Sequence, residues 1–333
     1  MTTTSQDICE DFEAALARRV FEAQLVEDLR RVEETLFQTV QSDIGLLTQA
    51  GQYVLRAGGK RLRPRVLLTA YRAMGGMDAA DAIRLAAAVE LLHTASLVHD
   101  DINDHSDLRR GQASVNRCWG DSLALLIGDF IFVRLLKLMV GLTGRPFDLL
   151  ADCCTAVVEG ETWQMLRSGD ITEADYLAIV SRKTAALFAA CAEMGGVLAA
   201  LGMPEREGEV VALREYGQNL GMAFQIRDDA LDLVGNPGEL GKPVASDVAQ
   251  GKISLATLYA VRHSSRAANL FWSQPPDTQE LLAILREIGA LDYATARARE
   301  YARRAQQALV RLRDSPARRE LDRLAEYAVV RDR

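Results

Sequence analysis

Apolar residues recur at helical spacing along most of this 333-residue chain, and no stretch alternates between apolar and polar residues with a period of two. Between residues 7 and 56, for example, Phe12, Leu16 and Val20 fall on one helical face, and so do Leu36 and Val40. An amphipathic helix must bury its apolar stripe against another element. The pattern therefore predicts an all-α protein of roughly a dozen helices in a single domain spanning residues 1–333, with residues 1–25 as an N-terminal helical extension.

Composition and charge exclude several classes of protein. Apolar residues make up 49% of the chain, so a sizeable core is expected. The sequence has no run of 18 consecutive apolar residues, so it predicts no membrane span. The N-terminus lacks the pattern of a secretory signal, so we expect a cytoplasmic protein. The five cysteines show no CxxC spacing, which disfavours disulfides and zinc sites. A net charge of −7 argues against a nucleic-acid partner.

Two copies of the pattern Asp-Asp-x-x-Asp follow long apolar stretches. Their members are Asp100, Asp101 and Asp104 in the first cluster and Asp228, Asp229 and Asp232 in the second. Residues four apart on a helix share a face, roughly 5–6 Å between Cβ atoms, so each cluster concentrates negative charge. Hard oxygen ligands favour Mg²⁺, which bridges to substrate phosphates. One cluster alone would indicate a solvated surface, whereas two predict a metal–diphosphate site, with Arg109 and Arg110 near enough to bind the same phosphates.

A basic segment follows the paired glycines at positions 58 and 59. It contains Lys60, Arg61, Arg63 and Arg65. Pro64 suits the first turn of a helix, and glycine lets the backbone approach a ligand closely. A basic helix start on the surface is the simpler interpretation. We favour a phosphate clamp, because helix N-termini and cationic side chains both bind anions.

Seven segments together resemble the trans-isoprenyl diphosphate synthases of the polyprenyl synthetase family. They are GGKRLRP, HTASLVHDDIND, SDLRRG, EGE with a following Gln, RKTAALF, YGQNLGMAFQIRDD, and LGKP before QGKIS. They occur in the family's order and at its spacing, from about Val26 to the C-terminus. The resemblance implies an all-helical fold around a deep central cavity, a homodimer, and three Mg²⁺ ions per active site. It also implies that the substrates are isopentenyl diphosphate and an allylic diphosphate.

The resemblance assigns roles to individual residues. Asp100 and Asp104, with Asp101 beside them, would bind Mg²⁺ on the allylic diphosphate, and Asp228, Asp229 and Asp232 would hold the remaining metal. The allylic diphosphate would contact Arg109, Lys183, Thr184, Gln225, Lys242 and Lys252. Isopentenyl diphosphate would contact Lys60, Arg63, His93 and Arg110.

The chemistry expected of such a site is ionisation followed by condensation. The allylic C–O bond breaks, and metal ions with fixed cations stabilise the charge that grows on the diphosphate. The double bond of isopentenyl diphosphate is then expected to attack the cation, with loss of a proton to the departing diphosphate. No Ser/His/Asp triad is needed, which agrees with a chain that has four histidines. A dry cavity is needed, because water would quench the cation.

Small residues precede the first cluster by about one turn. Ala95 and Ser96 stand where aromatic side chains would limit product length, and Leu92 lies deeper. We therefore predict an all-trans product of about thirty carbons or longer, because small side chains leave room for the tail. A long product would be passed on to a membrane. Trp163 departs from the family pattern and would narrow the cavity, so a shorter farnesyl or geranylgeranyl product is the alternative.

Four other functions deserve comparison. A terpene cyclase ionises the same substrates but needs no second-substrate clamp. A non-catalytic subunit of a heteromeric synthase would be expected to lose Asp-cluster residues, and all six are present. Glu90 and His93 form an ExxH, but a di-iron bundle needs a second one, which the remaining histidines do not provide. A nucleic-acid module built on the basic segment conflicts with the acidic net charge.

Overall fold

The computed structural model describes residues 5–142, 144–166, 171–234, 248, 252–273 and 278–331, with side chains described from residue 13 onward. The prediction of an all-α fold is confirmed. The helices are α1 (Ser5–Thr39), α2 (Gly45–Arg56), α3 (Leu62–Ala73), α4 (Ala80–Asn103), α5 (Val115–Trp119), α6 (Asp121–Met139), α7 (Arg145–Leu166), α8 (Glu173–Val180), α9 (Ala186–Ala199), α10 (Glu207–Val234), α11 (Leu255–His263), α12 (Ser265–Phe271), α13 (Thr278–Glu287), α14 (Ala290–Ala308) and α15 (Pro316–Val330). In this part of the chain no helix is both long and apolar enough to cross a bilayer.

Short elements complete the fold. A two-stranded antiparallel ribbon joins β1 (Leu108–Arg109) to β2 (Gln112–Ala113) just after α4. A π-helical turn over Ser181–Ala185 joins α8 to α9 without a break, and 3₁₀ turns cover Pro204–Arg206 and Leu309–Arg311. π-turns inside α-helices are rare and are frequent at functional sites.

The helix expected between residues 7 and 56 is divided into α1 and α2. The break lies at Ser42, whose backbone N–H donates to the Thr48 hydroxyl at 2.8 Å, while that hydroxyl donates back to the Ser42 carbonyl at 3.1 Å. Short hydroxyl side chains compete in this way with the helical hydrogen-bond ladder. Residues 5–25 form the first part of α1, continuous with the remainder of that helix.

α4 is the central helix and leads to the first Asp cluster. Four consecutive residues, Ala86 to Val89, are fully buried, so every side of the helix is covered. A helix that is apolar all round is enclosed by other helices, and α4 packs against α1, α3, α6 and α9. Over 24 residues it is about 36 Å long, so it carries the cluster far from its own N-terminus.

Glycines bring α9 close to both of its neighbours. A Cβ on Gly195 would lie 2.4 Å from the Leu67 carbonyl oxygen of α3, and one on Gly217 of α10 would lie 2.4 Å from the Phe188 carbonyl oxygen of α9. No other residue fits at these distances, because ordinary Cβ contacts are an ångström longer. The π-helical turn that precedes α9 packs between α7 and α10.

The buried side chains form two apolar clusters. The larger fills the space between α1, α3, α4, α6, α9 and α10. The smaller lies among α8, α10 and α11 to α14. Tyr301 and Val329 pack against both. α10 contributes side chains to both apolar clusters. The second Asp cluster lies in the part of the helix that packs into the smaller apolar cluster.

Candidate active site

Each carboxylate of the first Asp cluster lies near a cationic side chain. Asp101 is 2% exposed and accepts a hydrogen bond from Arg109 Nε at 2.9 Å. Lys252 Nζ donates to Asp104 Oδ2 at 2.5 Å. Burial raises the pKa of Asp100 to about 6, and the nearby charge of Lys183 counteracts this while Asp104 adds to it. The positive charge near Asp100 therefore does not offset the cost of burying its ionised carboxylate.

The ribbon after α4 positions Arg109. Ser114 N–H donates to the Asp107 carbonyl at 2.9 Å, which brings the two ends of the ribbon together. Asn116 Nδ2 donates to the Ser106 carbonyl at 3.2 Å. The Arg109 guanidinium is thus directed back onto the carboxylate of Asp101, which would otherwise be buried without a counter-charge.

The π-turn joins the two acidic clusters. Lys183 lies close enough to Asp100 for their charges to act on each other's pKa. The next residue, Thr184, donates through Oγ1 to Gln225 Oε1 at 2.9 Å, and Gln225 Nε2 donates to Asp229 Oδ1 at 2.7 Å. Lys183 is itself paired with Glu161 and donates to Gln164 Oε1 at 3.1 Å. Two consecutive residues therefore act on opposite clusters, Lys183 through its charge and Thr184 through Gln225, so the clusters lie on either side of the same turn.

The second Asp cluster lies within α10. Asp229 Oδ2 accepts a hydrogen bond from the Tyr176 hydroxyl at 2.7 Å, and burial together with Asp229 raises the pKa of Tyr176 well above its usual value. Asp228 Oδ1 forms an ion pair with Arg331 Nη2 at 2.6 Å. Asp232 is 2% exposed. Among the described contacts, Asp229 therefore accepts from neutral donors, and Asp228 is paired with a buried arginine.

Two arginines of the basic segment after the glycines form ion pairs with other helices. Arg61 Nη1 donates to Glu90 Oε1 at 2.9 Å and Nη2 to Glu33 Oε2 at 3.3 Å. Arg65 Nε donates to Glu320 Oε1 at 3.0 Å. The clamp of four cations expected from sequence is therefore wrong for Arg61 and Arg65, because buried carboxylates from other helices bind them. The same contact removes Glu90 from any di-iron site.

Three of the residues expected to bind isopentenyl diphosphate lie beside one another. The Arg63 guanidinium lies 4.8 Å from the centre of the Phe188 ring, and its buried Nε has no hydrogen-bond partner among the described residues. Burial and the charges of Arg63 and Arg110 hold the pKa of His93 well below its usual value. Arg110 covers Gly59, where an added Cβ would lie 2.8 Å from Nη1. His93 is therefore a neutral donor among guanidinium groups.

Two predicted lysines are placed differently. Lys60 Nζ donates to the Tyr327 hydroxyl of α15 and lies 5.1 Å from the centre of that ring, so in this conformation it is turned toward α15. Lys242 lies outside the described residues.

The donor set suits a divalent cation that is shared with a phosphate. Carboxylate oxygens are hard ligands, and Asp100 and Asp104 lie four apart on the helix. Within the described ranges, no three His, Cys, Asp or Glu side chains are arranged to hold a metal ion by themselves. An ion that takes its remaining ligands from water and diphosphate fits both observations.

Comparison with known proteins agrees with this geometry. The sequence profile described as "Polyprenyl synthetase" matches residues 44–288. This chain belongs to the polyprenyl synthetase family. It is 37% identical over 315 residues to octaprenyl diphosphate synthase of Haemophilus influenzae, covering 92% of this chain and 94% of that one. It is 35% identical over 297 residues to geranylgeranyl diphosphate synthase of Methanosarcina mazei, covering 86% and 90%.

A solved structure shows the same fold. Polyprenyl synthase from Caulobacter crescentus CB15, complexed with calcium and isoprenyl diphosphate, superimposes with a TM-score of 0.86 at 37% identity. The match covers 95% of this chain and 97% of the other. The protein is a prenyltransferase, and its relatives range from geranylgeranyl to octaprenyl diphosphate synthases.

The residues expected to set product length lie on α4 of this polyprenyl synthetase. Ala95 and Leu92 are 2% and 5% exposed. Ser96 is half-buried, and its hydroxyl donates to the His93 carbonyl at 2.9 Å. Trp163, the departure from the family pattern, is half-buried on α7, with the Arg182 guanidinium 4.9 Å from its ring centre.

Two residues of the site could not be identified from the sequence. Tyr176 reads as a core position of an amphipathic helix, and it lies 53 residues from Asp229. Arg331 lies near the end of the chain and is 8% exposed, with its guanidinium 3.7 Å from the centre of the Phe224 ring. Neither has a local signal, because the partner of each is on another helix.

Proposed function

We propose that this enzyme uses Mg²⁺ to condense isopentenyl diphosphate with an allylic diphosphate into an all-trans polyprenyl diphosphate of about thirty carbons or longer. The main support is that consecutive residues of the π-helical turn relate to both clusters: the charge of Lys183 acts on Asp100, and Thr184 is hydrogen-bonded to Gln225, which is hydrogen-bonded to Asp229. A solvated acidic surface would not bury such carboxylates together.

The allylic diphosphate is proposed to bind between the two clusters. Mg²⁺, when bound by Asp100, Asp104 and Asp228, supplies electrophilic stabilisation of the diphosphate as its C–O bond ionises. Arg109 and Lys252 now contact carboxylates of the first cluster. Their charges are already in place for diphosphate oxygens, so little reorganisation accompanies ionisation.

Isopentenyl diphosphate is proposed to bind at Lys60, Arg63, His93 and Arg110. The free Nε of Arg63 and the neutral ring of His93 both offer N–H donors toward a diphosphate. Lys60 would have to turn from Tyr327 to join them. These residues orient the double bond toward the allylic carbon, and the proton that is lost passes to the departing diphosphate. No side-chain base is required.

The growing tail is proposed to run along α4 toward its N-terminus. Ala95 and Ser96 lie about one turn beyond the cluster in that direction, and both are small. Leu92 lies one turn deeper and is closely packed. The relatives named above include both short-chain and long-chain synthases, so product length distinguishes this proposal from the geranylgeranyl or farnesyl alternative.

A single assay tests the proposed function. Purified protein is incubated with Mg²⁺, isopentenyl diphosphate and allylic primers of increasing length, and product masses are measured. Linear products of about thirty carbons or longer would support the proposal. Cyclic hydrocarbons alone would indicate a cyclase, turnover only with a second protein would indicate a subunit, and products that stop earlier would indicate the short-chain alternative.

We also propose that the active form is a homodimer joined through α6. One face of this helix carries apolar side chains that are 43% to 72% exposed. They are Leu125, Leu126, Val133, Leu136 and Val140. A second copy of the same face would cover them symmetrically. Light scattering should give twice the chain mass, and a monomeric mass for Leu126→Glu/Val133→Glu with unchanged helicity would assign the contact to α6.

A further inference from the structure

Glu90 is a carboxylate buried beneath the residues proposed to bind isopentenyl diphosphate. It is 3% exposed and lies one helical turn before His93 on α4. Its Oε1 accepts a hydrogen bond from Arg61 Nη1 at 2.9 Å. Its charge also acts on the guanidinium groups of Arg63 and Arg110. Neither Arg61 nor Glu90 has a place in the mechanism above.

We infer that the Arg61–Glu90 pair is a positioning device that leaves Arg63 and Arg110 free to bind isopentenyl diphosphate. This rests on the proposed function, since it assumes that those two arginines bind that substrate. Arg61 forms an ion pair with Glu90 and so compensates the buried charge of that carboxylate. The two substrate-binding arginines then remain available, held near a carboxylate that does not bind them directly.

Arg61 is itself rigidly held. Its backbone adopts φ +47° and ψ +41°, a left-handed conformation that is uncommon for a residue with a side chain. The guanidinium spans three helices, because it contacts Glu33 of α1, Glu90 of α4 and, at 3.0 Å, the Leu55 carbonyl of α2. A strained residue with so many fixed contacts is over-determined by its surroundings, as is common next to functional sites. It also fixes the direction of the segment that carries Arg63.

Charge explains why Glu90 needs this partner. Arg63, Arg110 and His93 converge in a buried region, where burial lowers the pKa of both arginines and the charge of Glu90 opposes that effect. Without Arg61, Glu90 would be a buried carboxylate that lacks its hydrogen-bonded cation. The nearest replacements are the two substrate-binding arginines, so the substrate would have to compete with Glu90 for them.

The same segment contains a matched control. Arg65 lies one turn further along α3 and is paired with Glu320, which is 6% exposed. That pair joins α3 to α15, and Glu320 also accepts a hydrogen bond from Arg323 Nε at 2.9 Å. Loss of Arg65 therefore removes a comparable ion pair of the same segment without leaving a carboxylate beside Arg63 or Arg110.

The test compares Michaelis constants for the two substrates. Arg61→Ala should raise the KM for isopentenyl diphosphate by about tenfold or more, with the KM for the allylic substrate within about twofold. Adding Glu90→Gln to Arg61→Ala should restore most of the loss, because the unpaired charge is gone. Arg65→Ala should lower the Tm and leave both KM values unchanged. If Arg61→Ala does not fold, Arg61→Gln, which removes the charge but keeps hydrogen-bond donors, replaces it, with the same expected rise in the KM for isopentenyl diphosphate.

The outcomes separate this inference from the proposed function. Arg63→Ala is included as the reference for substrate binding. If it leaves the KM for isopentenyl diphosphate unchanged, the proposed function fails. If Arg63→Ala raises that KM and Arg61→Ala does not, only the positioning role fails. No restoration by Glu90→Gln, or an equal rise in KM for both substrates, would likewise reduce Arg61 to a structural residue.

Discussion

The two Asp clusters have the same sequence pattern but different surroundings. Carboxylates of the first meet flexible cations, as when Arg109 binds Asp101 and Lys252 binds Asp104. In the second cluster, the Tyr176 hydroxyl and the Gln225 amide bind Asp229. The first cluster also ends its helix, since α4 stops at Asn103 and Asp104 is its C-cap, whereas all three members of the second lie within α10, which runs to Val234.

This difference indicates different tasks for the two clusters. Lysine and arginine side chains at the first cluster can exchange a carboxylate for a diphosphate oxygen while remaining in place. In the second cluster, the neutral hydrogen bonds from Tyr176 and Gln225 hold the Asp229 carboxylate in one orientation, as outer partners of a metal ligand do, while Asp228 is paired with Arg331. We therefore expect substrate binding and ionisation to depend most on the first cluster, and metal affinity to depend on the surroundings of the second.

The largest effect is expected from removing a charge of the first cluster. Asp100→Asn should lower kcat by about a thousandfold, because it weakens the electrophile at the leaving group. Asp229→Asn should lower kcat by only about ten- to a hundredfold, since the amide keeps one acceptor oxygen for its neutral partners. Steady-state kinetics at saturating Mg²⁺ measures both. Equal losses would remove the proposed division of tasks.

Arg109→Gln should have the next largest effect. It removes a cation from the proposed diphosphate site and leaves Asp101 buried without its counter-charge. We expect the KM for the allylic substrate to rise by about tenfold or more, and the free energy of unfolding to fall by about 2 kcal/mol. Kinetics and denaturant titration measure the two effects. An unchanged allylic KM in a destabilised variant would make Arg109 a structural residue.

Tyr176→Phe tests the hydrogen bond that the tyrosine hydroxyl donates to Asp229 of the second cluster. Loss of the hydroxyl should raise the Mg²⁺ concentration for half-maximal activity by about tenfold, with a smaller change in kcat at saturation. Tyr293→Phe is a matched control, because its hydroxyl donates to Glu173 at the start of the same helix, α8, at 2.7 Å. A similar Mg²⁺ requirement in both variants would contradict a role of Tyr176 in orienting Asp229.

The smallest effect on rate, but a change of product, is expected on α4. Ala95→Phe should shorten the product, with an overpacking cost of about 1–3 kcal/mol. Ala223 precedes Asp228 by the same five residues and is fully buried, so Ala223→Phe should destabilise without shortening. Mass spectrometry of the products separates the two. If Ala95→Phe fails to fold, the half-buried Ser96 takes the same substitution, and an unchanged product distribution would refute the tail path.

Local patterns were sufficient where a property repeats along one helix. The apolar spacing of α4 and α10 predicted two long helices that end in or carry acidic clusters, and the structure contains both. The capping box at Thr172 and Asp175 also follows from sequence alone, because its two hydrogen bonds lie within four residues. The π-turn after it was not predictable, since an extra residue in a helical turn has no distinct composition.

Sequence by itself determined the helical class, the two clusters of carboxylates and the family, because each depends on spacing that the chain carries locally. Tertiary structure alone decided which cation meets which carboxylate. The sequence gives no means of distinguishing Arg61, Arg63 and Arg65. In the structure, Arg61 and Arg65 bind carboxylates from other helices, while the Nε of Arg63 has no hydrogen-bond partner among the described residues. The reason is physical: a side chain's partner is set by how helices pack against each other, and buried charges make that pairing consequential.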